Sequence, residues 1–332
     1  MKIAVDAMGG DYAPKAEVEG AILAVKEYPL EVILVGDRAK LEEELAKHKY
    51  KGANISVEHA SEVISMDEPP MVSIRKKRNS SLVVAVNLVK EKRADAIVSA
   101  GNTGAAVCAA SLSLRLLPGI NKPGIMINYP TLKGNAAFID VGATIDPKPM
   151  DMCAFGIMAD AFSRYVLKKP NPNIGLLNIG EEETKGTEFM KETHKLLESS
   201  KLNFIGNVEG KDIFSGHCDV IVTDGVIGNV VLKVAENLCE TFADFLKQKL
   251  TKNIFTKMGA LLSLPAFNSF KKELDYSEYG GAPLLGVDGV CIISHGRSTP
   301  KAIKNAIRVA GEFVDHKVNQ HIVDRICQLK SV

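Results

Sequence analysis

At 332 residues, 46% hydrophobic and 24% charged, the chain can bury a large α/β core, and its formal net charge of +1 lacks the basic excess of a general nucleic-acid binder, so no nucleic-acid partner is expected. Uninterrupted apolar runs reach about ten residues, short of the ~20 of a spanning helix. Six cysteines, at 108, 153, 218, 239, 291 and 327, have neither zinc-knuckle nor redox spacing and read as buried reduced thiols, so no metal is expected.

Strands are predicted at about 2–6, 31–35, 54–58, 95–99, 124–128, 136–141, 174–179, 203–206, 219–223 and 290–294, with helical patterns between most of them. The first strand starts directly after the initiator, with no apolar segment behind a basic start, which predicts a cytoplasmic protein without a secretory signal. Pro14 opens the first helix as its N1 residue, and Asp37 can cap the second. Arg75, Lys76, Lys77 and Arg78 form a basic run, ordinarily a solvated face, before Asn79-Ser80-Ser81, which can cap a helix through Val89. Pro147 and Pro149 precede a helix through Met158 and Phe162, and another begins near Gly228 and runs past Leu250. Next, Ile254, Phe255, Met258, Leu261, Leu262, Leu264, Phe267, Phe270 and Leu274 recur at helical spacing around Pro265, flanked by Lys247, Lys249, Lys252, Lys257, Lys271 and Lys272. This predicts a helical hairpin over 245–280 that is an interfacial membrane element, a dimer contact or an amphipathic core helix. The whole, 1–332, reads as one α/β catalytic domain, with room for two lobes: a mostly parallel sheet with helices on both faces and a protruding hairpin.

Six apolar runs end in glycine-containing polar loops: 5–11, 98–105, 139–144, 176–186, 222–230 and 292–296. Any one needs glycine simply to turn, but six together point to one ligand site at strand ends and helix N-termini, suited to an anion. No G-x-x-x-x-G-K-[ST], G-x-G-x-x-G with a later acid, G-x-S-x-G or H-E-x-x-H occurs, so no enzyme-borne nucleophile and no cofactor is signalled. His217 and His295 could donate protons but read more simply as structural histidines.

Val5-Asp6-Ala7-Met8-Gly9-Gly10-Asp11, Ser99-Ala100-Gly101-Asn102-Thr103-Gly104-Ala105, Asp140-Val141-Gly142-Ala143, Asn178-Ile179-Gly180-Glu181-Glu182, Thr223-Asp224-Gly225 with Gly228-Asn229, and Tyr279-Gly280-Gly281-Ala282 together resemble the bacterial phosphate acyltransferase family, PlsX, from Met1 to about residue 315. The resemblance implies a fold like those of phosphotransacetylase and the isocitrate and isopropylmalate dehydrogenases. It implies that inorganic phosphate attacks the thioester of long-chain acyl-acyl carrier protein, without a covalent acyl-enzyme, giving acyl phosphate for phospholipid synthesis by a downstream acyltransferase. The same resemblance supports Lys185 as the cation neutralising phosphate and the developing oxyanion. It also favours Asn229 as an amide donor, although an N-cap role competes on residue grounds. Gly9, Gly10, Asp11, Ser99, Gly101, Asn102, Thr103, Gly104, Gly142, Gly180 and Gly228 are assigned to phosphate and substrate, with Asn102 and Thr103 adding side-chain donors. Acyl carrier protein is acidic, so Arg75, Lys76, Lys77 and Arg78 become a docking patch, and Ile254, Phe255, Met258, Leu261, Leu262 and Phe267 the contact of a peripheral homodimer with the membrane surface. An isopropylmalate-type NAD-dependent dehydrogenase and a non-catalytic membrane-surface scaffold are the competing readings.

Overall fold

Eleven strands form one sheet in this computed structural model, which describes residues 1–274 and 280–330. In chain order they are β1 (Lys2–Asp6), β2 (Glu31–Gly36), β3 (Ile55–His59), β4 (Ala96–Ser99), β5 (Gly124–Thr131), β6 (Gly134–Ile139), β7 (Ile174–Leu177), β8 (Phe204–Val208), β9 (Val220–Val222), β10 (Ala282–Leu285) and β11 (Val290–Ile293). Successive side chains enter opposite faces, so Ile3 and Val5 join one core with Leu34, Met126 and Phe155, while Ala4 joins another with Ile33, Ile97 and Phe138. Being buried on both faces, β4, β7, β9 and β11 read as apolar runs.

Helices α1 (Lys15–Glu27), α2 (Arg38–Lys47), α3 (Pro70–Lys76), α4 (Ser81–Lys90), α5 (Thr103–Ser113), α6 (Pro149–Tyr165), α7 (Glu188–Ser199), α8 (Gly225–Leu250), α9 (Ile254–Leu262), α10 (Leu264–Leu274), α11 (Pro300–Asp315) and α12 (Val318–Lys330) cover the sheet or project from it. Asp37 and Ser80 cap α2 and α4 as expected, accepting from the Lys40 and Val83 amides. Pro14 lies one residue earlier than expected, at the N-cap of α1. The helix expected near Gly228 begins at Gly225 and is capped by Asp224, whose carboxylate accepts from the Val226 and Ile227 amides. Asn229 is therefore no N-cap.

The sheet order is β3-β2-β1-β4-β11-β10-β5-β6-β9-β7-β8. Strands β1, β2, β3, β4 and β11 pair in parallel, as do β6, β7, β8 and β9. Between these halves β10 runs antiparallel to both β11 and β5, and β5 antiparallel to β6. The hydrophobic runs do not announce β10, because Ala282-Pro283-Leu284-Leu285 is short, carries a proline and follows Gly280-Gly281. Cys153, Cys218 and Cys291 are buried, but Cys239 and Cys327 are exposed, correcting the expectation that all six thiols are interior.

Candidate active site

The loops after β4, β11, β6 and β9 meet at one cavity of about 650 Å³. Three helix starts open on it: Thr103 and Gly104 of α5, Gly225 and Val226 of α8, and Ser298 and Ala302 flanking the start of α11. Each helix start carries partial positive charge on N–H groups that lack intrahelical acceptors. They differ in what is left over. At α8 the Asp224 carboxylate occupies two of those amides and cancels the dipole with its own charge. At α5 the Asn102 Oδ1 accepts from the Ala105 amide, 2.9 Å away, and among the described residues the amides of Thr103 and Gly104, two lining residues, meet no acceptor. Elsewhere the walls are largely apolar, with Ile125, Val141, Ile145, Val230 and Ile293 among them.

Of the residues assigned from sequence, Thr103, Gly104, Gly142 and Asn229 line this cavity together. Asn229 is exposed, and its amide makes no hydrogen bond among the described residues. Lys233, Glu236 and His295 also line it. Lys233 was legible in the sequence as the residue one helical turn beyond Asn229, yet nothing there set it apart from a surface lysine. The His295 Nδ1 accepts from the Arg297 amide at 3.1 Å, an arrangement that places the ring proton of the neutral tautomer on Nε2. His217 is exposed and away from the lining.

Other assigned residues build the walls. Asn102 donates its amide to the carbonyls of Ser65, Met66 and Glu68, so it anchors the 65–68 loop and offers the cavity no side-chain donor. The Gly142 amide is likewise engaged, by the buried carboxylate of Asp140. That carboxylate accepts from Ile125 at 2.9 Å, Gly142 and Ala143 at 3.0 Å and Thr144 at 2.7 Å. Burial pushes the Asp140 pKa up, and the four amides pull it back. A Cβ on Gly228 would lie 1.9 Å from the Asp140 carbonyl oxygen, so only glycine lets α8 start against this turn.

Gly9 and Gly101 face each other rather than a ligand: a Cβ on Gly9 would lie 2.8 Å from the Gly101 Cα and 2.6 Å from Asp6 Oδ2. Ser99 ties these loops by donating to Asp6 Oδ2 at 2.7 Å and accepting from the Gly101 amide. Asp11 lies by the 294–298 loop, its amide bonded to the Gly296 carbonyl. Beneath Gly10, burial pushes Glu17 up to about 8, with the nearby Asp6 and Asp11 charges adding to the rise. In the unfolded chain this carboxyl ionises near 4.5, whereas the folded protein holds its proton to about 8, so folding weakens as pH climbs through that interval. Glu17→Gln is expected to melt progressively higher than the parent chain from pH 4.5 to 8; a melting difference that ignores pH there would remove this assignment.

Lys185 is exposed in the 178–187 loop, its amide bonded to the Glu182 carbonyl, and it is not part of the cavity lining. Gly180 is buried beside it: a Cβ there would meet the Lys185 Cγ at 3.0 Å. This loop follows β7, the neighbour of β9, and so flanks the start of α8. Arg75, Lys76 and Arg78 are exposed at the end of α3, which packs on α5, but Lys77 pairs with Glu68 at 2.5 Å and donates to the Val63 carbonyl. Ile254, Phe255, Met258, Leu261 and Leu262 on α9 are exposed, Phe255 and Leu262 by 81% and 83%, so they are no core of this chain; Phe267 on α10 is half-buried. Also exposed are Val230, Val234, Leu238, Phe242 and Phe245, an apolar stripe along α8. Tyr279, with the end of the predicted hairpin, lies outside the described residues, as do the side chains of Lys271, Lys272 and Leu274.

A family model described as fatty acid synthesis protein matches residues 1–321. A phosphate acyltransferase of Geotalea daltonii is 49% identical over 326 residues, 98% of this chain and 94% of that protein. One of Alkaliphilus oremlandii is 49% identical over 329 residues, 99% and 98% of the two chains. Among solved structures, a phosphotransacetylase from Streptococcus pyogenes superposes with a TM-score of 0.67 at 17% identity, covering 95% of this chain and 94% of that one. A 4-hydroxythreonine-4-phosphate dehydrogenase from Klebsiella pneumoniae superposes at 0.55 and 13%, covering 95% and 99%. These two likenesses concern the fold alone.

Proposed function

The chain belongs to the fatty acid synthesis protein family and is a phosphate acyltransferase, and from that premise we propose that it moves a long-chain acyl group from the thioester of acyl carrier protein to inorganic phosphate. The observation that supports this reading is the meeting of helix N-termini on a largely apolar cavity, which suits an anion beside a greasy chain. Phosphate sits at the α5 start on the Thr103 and Gly104 amides, since the α8 start is taken by the Asp224 carboxylate and the α11 start by Pro300, which has no N–H, and the Thr299 hydroxyl. A phosphate oxygen attacks the carbonyl carbon, the new C–O bond forms, and the C–S bond breaks. The proton of hydrogen phosphate ends on the departing thiol. Because phosphate is already a dianion in part, positioning and charge neutralisation outweigh deprotonation. Asn229 donates to the oxyanion, and Lys185 is the cation that the 178–187 loop brings to it.

Incubating the protein with palmitoyl-carrier and phosphate, then trapping with hydroxylamine, tests the reading. Palmitoyl hydroxamate formed only with phosphate present supports it. An acylated protein that goes on to product would overturn the direct attack.

Arg75, Lys76 and Arg78 are the docking patch in this reading, and Lys77, held by Glu68, drops out of it. Reversing those three charges to glutamate is expected to raise the carrier KM about tenfold at low salt and much less at high salt. A carrier KM indifferent to both changes sinks the docking role. We assign the α8 stripe to a second copy of the chain and the α9–α10 tip to the membrane surface, where acyl phosphate meets a downstream acyltransferase. No helix among the described residues is long and apolar enough to cross a membrane, which fits peripheral attachment from the cytoplasm. Leu261→Glu with Phe267→Glu is expected to stop flotation with anionic liposomes and leave the dimer intact in light scattering. Equal flotation of parent and variant would dismiss the tip as the anchor.

A further inference from the structure

We propose that Lys233, oriented by Glu236, binds the phosphate in the cavity; this rests on the acyl-transfer reading and supplies a cation which that reading lacks inside the lining. Lys233 follows Asn229 by four residues, so both project from one face of α8, and both line the cavity. Among the described lining residues Lys233 is the one lysine or arginine and Glu236 the one carboxylate. The two are paired, Nζ to Oε2, at 2.8 Å, with the lysine side chain half exposed. A pair of that kind is worth at most about 1 kcal/mol, so it reorganises easily when a stronger partner arrives. A phosphate dianion is such a partner, with more acceptor oxygens and twice the charge. Glu236 is a positioning residue: without an anion it holds the ammonium at the cavity rather than letting the long side chain swing into solvent.

The geometry separates the roles of two lysines. Lys233 is fixed on a helix in the wall, one turn from the oxyanion donor, whereas Lys185 lies on a loop outside the lining. Phosphate held between the α5 start and Lys233 meets positive charge from two sides of the cavity, and Asn229 remains for the thioester carbonyl.

Inorganic phosphate titrated calorimetrically into the protein alone, with steady-state kinetics alongside, tests the assignment. Lys233→Met, which keeps the packing stem and removes the charge, is expected to weaken phosphate binding and raise the phosphate KM in step, by about tenfold or more. The carrier KM stays unchanged, and Lys233→Arg keeps part of the phosphate affinity. Phosphate binding in Lys233→Met equal to that of the parent, or no phosphate binding by the parent, would overturn the assignment. A parent protein that binds phosphate through Lys233 yet yields no hydroxamate from palmitoyl-carrier would instead sink the acyl-transfer reading and leave the anion site standing.

Discussion

Asp140→Ala is expected to be the most damaging substitution in the 139–144 turn, lowering the melting temperature by about 10 °C or more, or preventing soluble expression altogether. Four backbone amides, of Ile125, Gly142, Ala143 and Thr144, donate to this one buried carboxylate. Alanine removes every acceptor at once. Each buried donor left without a partner costs about 1–3 kcal/mol, so the sum rivals the roughly 5–15 kcal/mol that separates folded from unfolded protein. Water entering the vacated space offsets part of this, which is why the lower end is the figure to test. Asp140→Asn keeps one carbonyl oxygen and is expected to fall between. A soluble Asp140→Ala protein melting with the parent would mean that the turn holds itself by other means, and that Gly142 needs no anchor to stay beside Asn229.

Asn229→Ala is expected to act in the opposite way, leaving the melting temperature unchanged and lowering kcat about a hundredfold or more, the usual effect of losing one oxyanion donor. Asn229 is exposed in the second turn of α8, and its amide has no partner among the described residues, so the fold loses nothing with it. Alanine is also the better helix former. The paired measurement is Lys185→Ala, expected to show a similar fall through the loop that flanks α8. Near-normal turnover in a folded Asn229→Ala protein removes the amide from the oxyanion, and the same result for Lys185→Ala removes that lysine from the reaction.

The parallel sheet and its flanking helices were legible because strands buried on both faces are written as unbroken aliphatic runs, and because Asp37 and Ser80 announce the helices they cap. Strand β10 was not legible: four residues with a proline carry no periodicity, and its antiparallel pairing with β5 and β11 depends on partners far away in sequence. The same limit applies to the site. Four of the six glycine loops, 98–105, 139–144, 222–230 and 292–296, line one cavity and two do not, because sequence cannot tell a glycine that opens on a cavity from one that admits another loop. Gly104 lines the cavity, whereas Gly9 and Gly101 press on each other. Nor does it reveal how a polar side chain is employed. Asn102 looks like a donor to phosphate until its amide is seen holding three carbonyls of the 65–68 segment. Lys233 was overlooked because a lysine in a helix is ordinary until the wall it stands in is known.

Helix α8 begins at the cavity and ends at Leu250, shortly before the exposed apolar helix α9. Its 26 residues span about 39 Å, and no proline interrupts them. It is thus a strut of fixed length with the cavity at one end. Whatever meets the far end of that helix is held at a set distance from the cavity mouth.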